Sequence, residues 1–172
     1  LHNSEGNIAN YKGRWKSDFF KNDNPLVLEL ACGYGEYSMA IAKNNPNINV
    51  IGIDIKGNRL YTGAKYALDH HLNNAAFIRS QINLLPNFFG TAEVDALWIP
   101  FPDPQTKKSK HTKRLTSLFF LNLYQQFMVP NGIINLKTDS DLLYDYTLET
   151  IAESQSKLLV NYPNLYTENI ID

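Results

Sequence analysis

Apolar runs and stretches of helical spacing alternate along the chain. Residues 25–31, PLVLELA, form a short apolar run that ends in glycines. Residues 35–45 then carry Tyr37, Ala40 and Ile41 along one stripe, with the stem of Lys43 extending it. INVIGID (48–54) is a second buried-type strand, and residues 57–72 place Leu60, Ala64, Ala67, Leu68 and Leu72 on a helical face. AAFIRS (75–80) is a third strand, followed by NLLPNFF (83–89), a short irregular helix broken near Pro86. EVDALWIPF (93–101) is the fourth strand, 116–129 a long helix, and GIINLKT (132–138) the fifth strand. Residues 139–154 open with Asp-Ser-Asp, which is N-cap chemistry centred on Asp139, and run as a helix. KLLVNY (157–162) is a candidate sixth strand.

This alternation predicts an α/β fold, a doubly wound, mostly parallel sheet with helices on both faces. Such sheets bind ligands beyond the carboxyl ends of their strands, near the switch point, so function is expected just after each strand. A chain of 172 residues suits one domain, here an N-terminal extension (1–24) and a core (25–172).

Composition changes this picture little. The 44% hydrophobic and 12% aromatic content is that of a globular protein and excludes a disordered one. Sixteen Lys+Arg against 17 Asp+Glu leave bulk charge silent about partners. The distribution says more: Lys107, Lys108, Lys110, Lys113 and Arg114 crowd one segment without an acid, either a solvated face or a phosphate-binding patch. A lone cysteine, Cys32, rules out an internal disulfide and fits a reducing compartment. None of the four histidines is spaced with Cys32 like a zinc ligand, so no metal is expected, and the His70-His71 pair reads as surface. No run reaches membrane-spanning length and no secretion signal opens the chain, so a cytoplasmic protein without a membrane partner is expected, as monomer or homodimer.

The first strand end carries candidate chemistry. Glu29 lies near the end of the strand, and Gly33 and Gly35 lie in the turn that follows, where the backbone can approach a ligand. The dinucleotide pattern G-x-G-x-x-G would require a third glycine at position 38, which is Ser38. A second acid, Asp54, ends strand two, where a carboxylate can take both hydroxyls of a ribose. An acid at position 29 would repel a pyrophosphate and suits a cationic group, such as the amine end of S-adenosylmethionine.

LELACGYG, GIDIKGNRL and FPDPQTKKSKHTKRL together resemble the bacterial tRNA (guanine-N7-)-methyltransferases over about residues 25–146. The third segment is the diagnostic one, because glycine turns are shared by all class I methyltransferases. The resemblance implies the Rossmann-like class I methyltransferase fold with its C-terminal strand region incomplete. It also implies S-adenosyl-L-methionine as cofactor (product S-adenosyl-L-homocysteine), and methyl transfer to N7 of a guanosine in tRNA, in the variable loop. Alternatives are a class I methyltransferase with another substrate, or a non-catalytic RNA-binding relative.

By this resemblance Glu29, Gly33, Gly35 and Asp54 hold the cofactor, with Gln81, in place of the common Asp, facing its adenine. Ala31 replaces the usual glycine, and Tyr34 a frequent lysine. Asp103 becomes the catalytic residue, also bordering the cofactor, with Pro102 and Pro104 fixing the backbone on either side. Lys107 and Asp139 contact the substrate, and Lys108, Lys110, His111, Lys113 and Arg114 grip tRNA phosphates. Trp98 and Phe101 lie in the fourth strand and read as core, while Arg14, Trp15 and Lys16 are candidates for the cleft on composition alone. The family's C-terminal T-x-[YF]-E segment finds no counterpart, because Thr167-Glu168 follows a tyrosine instead of preceding one.

Overall fold

The computed structural model describes residues 8–164; Thr167 and Glu168 lie outside them. Five parallel strands form one sheet: β1 (Leu26–Leu30), β2 (Asn49–Asp54), β3 (Ala75–Arg79), β4 (Val94–Pro100) and β5 (Met128–Lys137). Their spatial order is β3-β2-β1-β4-β5, so the winding reverses between β1 and β4. The crossovers carry helices α1 (Glu36–Asn44), α2 (Gly57–Asp69) and α3 (Leu118–Tyr124), and α4 (Asp141–Glu153) follows β5. The expected doubly wound α/β sheet is therefore present.

Register explains how the two faces differ. Glu29 pairs with Gly52 on one side and Trp98 on the other, Gly52 with Phe77, and Trp98 with Asn135. Phe77, Gly52, Glu29, Trp98 and Asn135 thus make one transverse row on one face, since paired residues of neighbouring strands point the same way. Helices α1 and α2 cover this face. The alternate positions, Leu28, Leu30, Ile51, Ile53, Ile78, Leu97 and Ile99, point to the other face. There they join Leu85, Phe89, Phe120, Tyr124 and Phe127 in the main apolar core.

Several expectations needed correction. The stripe of α1 is turned by about one position: Ser38 and Ala42 are buried, while Ala40 is exposed. In α2, Gly63 joins Leu60, Ala64 and Ala67 on the buried face, and Leu68 is 63% exposed. The long helix foreseen at 116–129 shrinks to Leu118–Tyr124, because Phe127 already accepts hydrogen bonds from Glu93 and Val94 and leads into β5 beside β4. Residues 157–162 form no strand. Ser140, not Asp139, caps α4 by accepting from the Leu143 N–H.

Residues 8–24 belong to the core as much as the sheet does. Trp15 and Phe20 are buried within it, and Trp15 packs on Tyr11, Phe19 and Phe89. The Glu93 carboxylate accepts three backbone N–H groups, from Gly13, Trp15 and Gly90. Lys16 reaches Asp95 at 2.7 Å. These contacts sit at the amino ends of the strands, so Trp15 and Lys16 are remote from the carboxyl-end cleft.

Candidate active site

At the carboxyl end of β1 the chain turns through three left-handed residues, Ala31 (φ 58°), Gly33 (φ 57°) and Gly35 (φ 76°). A side chain at Gly33 would meet nothing within 4 Å, so this turn faces open space, whereas one at Gly35 would strike the Phe77 ring at 2.3 Å. Ala31 holds a torsion that costs an L-residue about 1–2 kcal/mol.

Two acids border the turn. Glu29 is 1% exposed, and its Oε2 accepts the Ser38 N–H at 2.6 Å and the Ser38 hydroxyl. Burial pushes its carboxyl up to about 7; the Ser38 bonds pull the other way, and the negative charges of Asp54 and Glu36 add to the rise. Asp54 bridges the two strand ends, accepting from Gly33 N–H at 2.9 Å on Oδ2 and from Lys56 N–H at 2.7 Å on Oδ1. Each oxygen keeps a lone pair for a hydroxyl donor. Two carboxylates beside an open, glycine-lined turn fit a ligand with a cationic end and a ribose. Gln81 follows β3, the strand next to β2, by two residues and is exposed. Cys32 is buried, and that burial raises its thiol far above its ordinary range.

Across the switch point, Trp98 stands next to Glu29 in the row, with its ring edge-on to Tyr37. Its buried Nε1–H has no hydrogen-bond partner among the described residues. Beyond it the chain leaves β4 through Phe101 (φ 47°), Pro102, Asp103, Pro104 and Gln105 (φ 47°). Left-handed torsions at two non-glycine residues flank the Pro-Asp-Pro unit, and such strain clusters at functional sites. Asp103 is exposed, and its Oδ1 accepts from Gln105 N–H at 2.9 Å. Phe101 was expected in the core, but it is 50% exposed, because its torsion turns the ring out of the strand. The Lys137 ammonium lies 5.6 Å from that ring and 5.8 Å from the Tyr37 ring.

The basic segment splits in two. Lys107, Lys108, Lys110, His111 and Lys113 are exposed along a 3-10 turn (Lys108–Lys113). Arg114 departs from the expected phosphate row. It is 6% exposed, and its guanidinium bonds the carbonyls of Pro104 and Gln105. Asp139, freed from the capping role, is exposed at the end of β5. Sequence reasoning missed Ser38 and Phe101; only the burial of Glu29 and the torsion at Phe101 reveal them.

The profile of a family described as "Putative methyltransferase" matches residues 23–170. A tRNA (guanine-N(7)-)-methyltransferase of Christiangramia forsetii is 47% identical over 160 residues, 93% of this chain and 71% of that protein. One of Bacteroides fragilis is 45% identical over 161 residues, 94% of this chain and 63% of that protein. The chain thus spans about two thirds of the length of these relatives. Among solved structures, the aminoglycoside resistance methyltransferase NpmB1 superposes with a TM-score of 0.59 at 19% identity, over 80% of this chain and 66% of that one. At that identity the likeness speaks for the fold alone.

Proposed function

The chain belongs to the tRNA (guanine-N(7)-)-methyltransferase family, and from that premise we propose that it methylates N7 of a guanosine in tRNA, using S-adenosylmethionine. The observation that carries this is the placing of Asp103. It stands on a strained, proline-bounded turn at the switch-point strand, between a cofactor-type turn and an exposed basic row.

When bound, S-adenosylmethionine supplies an electrophilic methyl group. Glu29, Asp54 and the turn from Ala31 to Gly35 are the residues to hold it, with Gln81 beside the base. Guanine N7 has a free lone pair and no proton, so the protein needs no general base. Asp103 instead accepts hydrogen bonds from the guanine N1–H and N2–H₂ edge, fixing the direction of N7. Its charge also offsets the positive charge that grows on the purine. Lys107 and Asp139, both exposed and following the carboxyl ends of β4 and β5, contact the substrate. Lys108, Lys110, His111 and Lys113 face phosphates, adding affinity that carries no sequence information. The exposed Phe101 ring offers a stacking face next to Asp103.

The test is incubation with labelled S-adenosylmethionine and bulk tRNA, followed by digestion and nucleoside mapping. Label in 7-methylguanosine is expected, and mapping shows whether it lies in the variable loop. Label in a different nucleoside, or in a small molecule, points to another class I activity. Absence of S-adenosylmethionine binding by calorimetry points to a non-catalytic RNA-binding relative. Asp103→Ala is expected to lower turnover by about 100-fold with cofactor affinity kept; unchanged turnover would remove the central role of Asp103.

A further inference from the structure

We infer that Arg114 is a positioning residue for Asp103, acting through one peptide unit, and is not a phosphate ligand like its lysine neighbours. The geometry centres on the Pro104–Gln105 peptide. Its carbonyl oxygen accepts from Arg114 Nε at 3.0 Å, and its N–H donates to Asp103 Oδ1 at 2.9 Å. Oxygen and hydrogen of a trans peptide point in opposite directions in one plane. A group that holds the oxygen therefore sets the direction of the N–H, and with it the carboxylate that the N–H holds. Arg114 Nη2 also reaches the Gln105 carbonyl at 3.3 Å, so the guanidinium grips the peptides on both sides of the left-handed Gln105.

The far side of the clamp is equally defined. The guanidinium carbon lies 4.3 Å from the Tyr146 ring centroid, which ties the turn to α4. Among the described residues no carboxylate forms an ion pair with Arg114; two carbonyls and an aromatic face hold its charge. A planar fork can stack and donate in two directions at once, which a lysine ammonium cannot. The exposed Lys108, Lys110 and Lys113 have no such constraint. The five cations of the segment thus divide by task, four to the solvent side and one to the turn itself.

This inference rests on the assignment of Asp103 to the guanine edge, and the test separates the two. Arg114→Lys, Arg114→Gln, Lys113→Ala and Asp103→Asn are compared with the wild type for kcat, KM for tRNA, and the slope of log affinity against log salt. Arg114→Lys is expected to lose at least tenfold in kcat, with KM and the salt slope held. Lys113→Ala is expected to raise KM and reduce the slope by about 0.7–0.9, the signature of a lost phosphate contact. If Arg114→Lys is unfolded by circular dichroism, Tyr146→Leu, which removes the aromatic face and leaves the guanidinium, replaces it with the same expected kcat loss. An Arg114→Lys protein with wild-type kcat, or a shallower salt slope in Arg114→Gln with kcat unchanged, overturns the inference. If Asp103→Asn itself turns over like the wild type, the assignment of Asp103 fails instead.

Discussion

Glu29→Gln should make the protein more stable at pH 8 than the wild type and leave it about equal at pH 4.5. Burial raises the Glu29 carboxyl from 4.5 to about 7 in the folded chain. Between these values the folded state holds a proton that the unfolded state has already released, so stability falls as pH rises through this window. Above pH 7 the loss is complete, at about 3 kcal/mol given ~1.4 kcal/mol per pH unit. Glutamine does not titrate, and its amide oxygen can still accept both Ser38 donors. Urea melts of both proteins at pH 5, 6, 7 and 8 give the difference in unfolding free energy at each pH, in which other titrating groups cancel. The expected result is a difference that grows in favour of the glutamine variant by roughly 2–3 kcal/mol from pH 5 to 8. A difference that stays within about 1 kcal/mol, or grows the other way, would refute the reasoning. Saturating S-adenosylmethionine should flatten the wild-type profile, because a cation near Glu29 favours the ionised form.

Three further outcomes follow from the turns. Ala31→Gly should raise stability by about 0.5–1 kcal/mol, relieving the left-handed torsion at an exposed position while loosening the unfolded chain; thermal denaturation reads this as a rise of roughly 2 °C. Gly35→Ala should cost more than about 2 kcal/mol, since its new carbon meets the Phe77 ring and takes a positive φ; Phe77→Leu in the same chain should recover part of the loss. Phe101→Ala should lower kcat/KM for tRNA by about 5- to 100-fold with S-adenosylmethionine affinity unchanged, the range expected for losing one base–aromatic stack; an unchanged kcat/KM would assign the exposed ring no part in substrate binding.

Strands β1 and β2 were legible because they are buried on both faces, or nearly so, and read as apolar runs, whereas β3 and β5 at the sheet edges are only partly buried. Strand β1, LVLEL, departs from an apolar run only at Glu29. Helix α1 was misread for the same reason that makes it useful. Periodicity assigns the buried face to apolar residues, but Ser38 takes that face because Glu29 needs its hydroxyl and N–H. The early end of α3 was hidden because the limit comes from pairing with Val94, far away in the chain. In the basic segment, sequence shows five equal cations. What sets Arg114 apart is burial against carbonyls ten and nine residues upstream, together with a ring on α4.

Ser38 also settles why the glycine pattern after β1 departs from that of dinucleotide folds. There a third glycine on the helix permits close packing of helix on strand. Here the helix position carries a hydroxyl, and the clearance has moved to the sheet: a side chain on Gly52 would come within 2.8 Å of both Ser38 Oγ and the Phe77 ring. Gly63 of α2 gives way to the same ring, so Phe77 sits among Gly35, Gly52 and Gly63. The exchange has a chemical consequence. A glycine at position 38 would leave Glu29 with one backbone donor and no hydroxyl, and a more weakly held buried charge. With Ser38 and Gly52 together, the helix comes close enough to bind the carboxylate twice. An acid is thereby held at the turn after β1, where a pyrophosphate site could not tolerate its charge. The serine that breaks the dinucleotide pattern is thus part of what holds an acid at this turn, a group that favours a cation over a pyrophosphate.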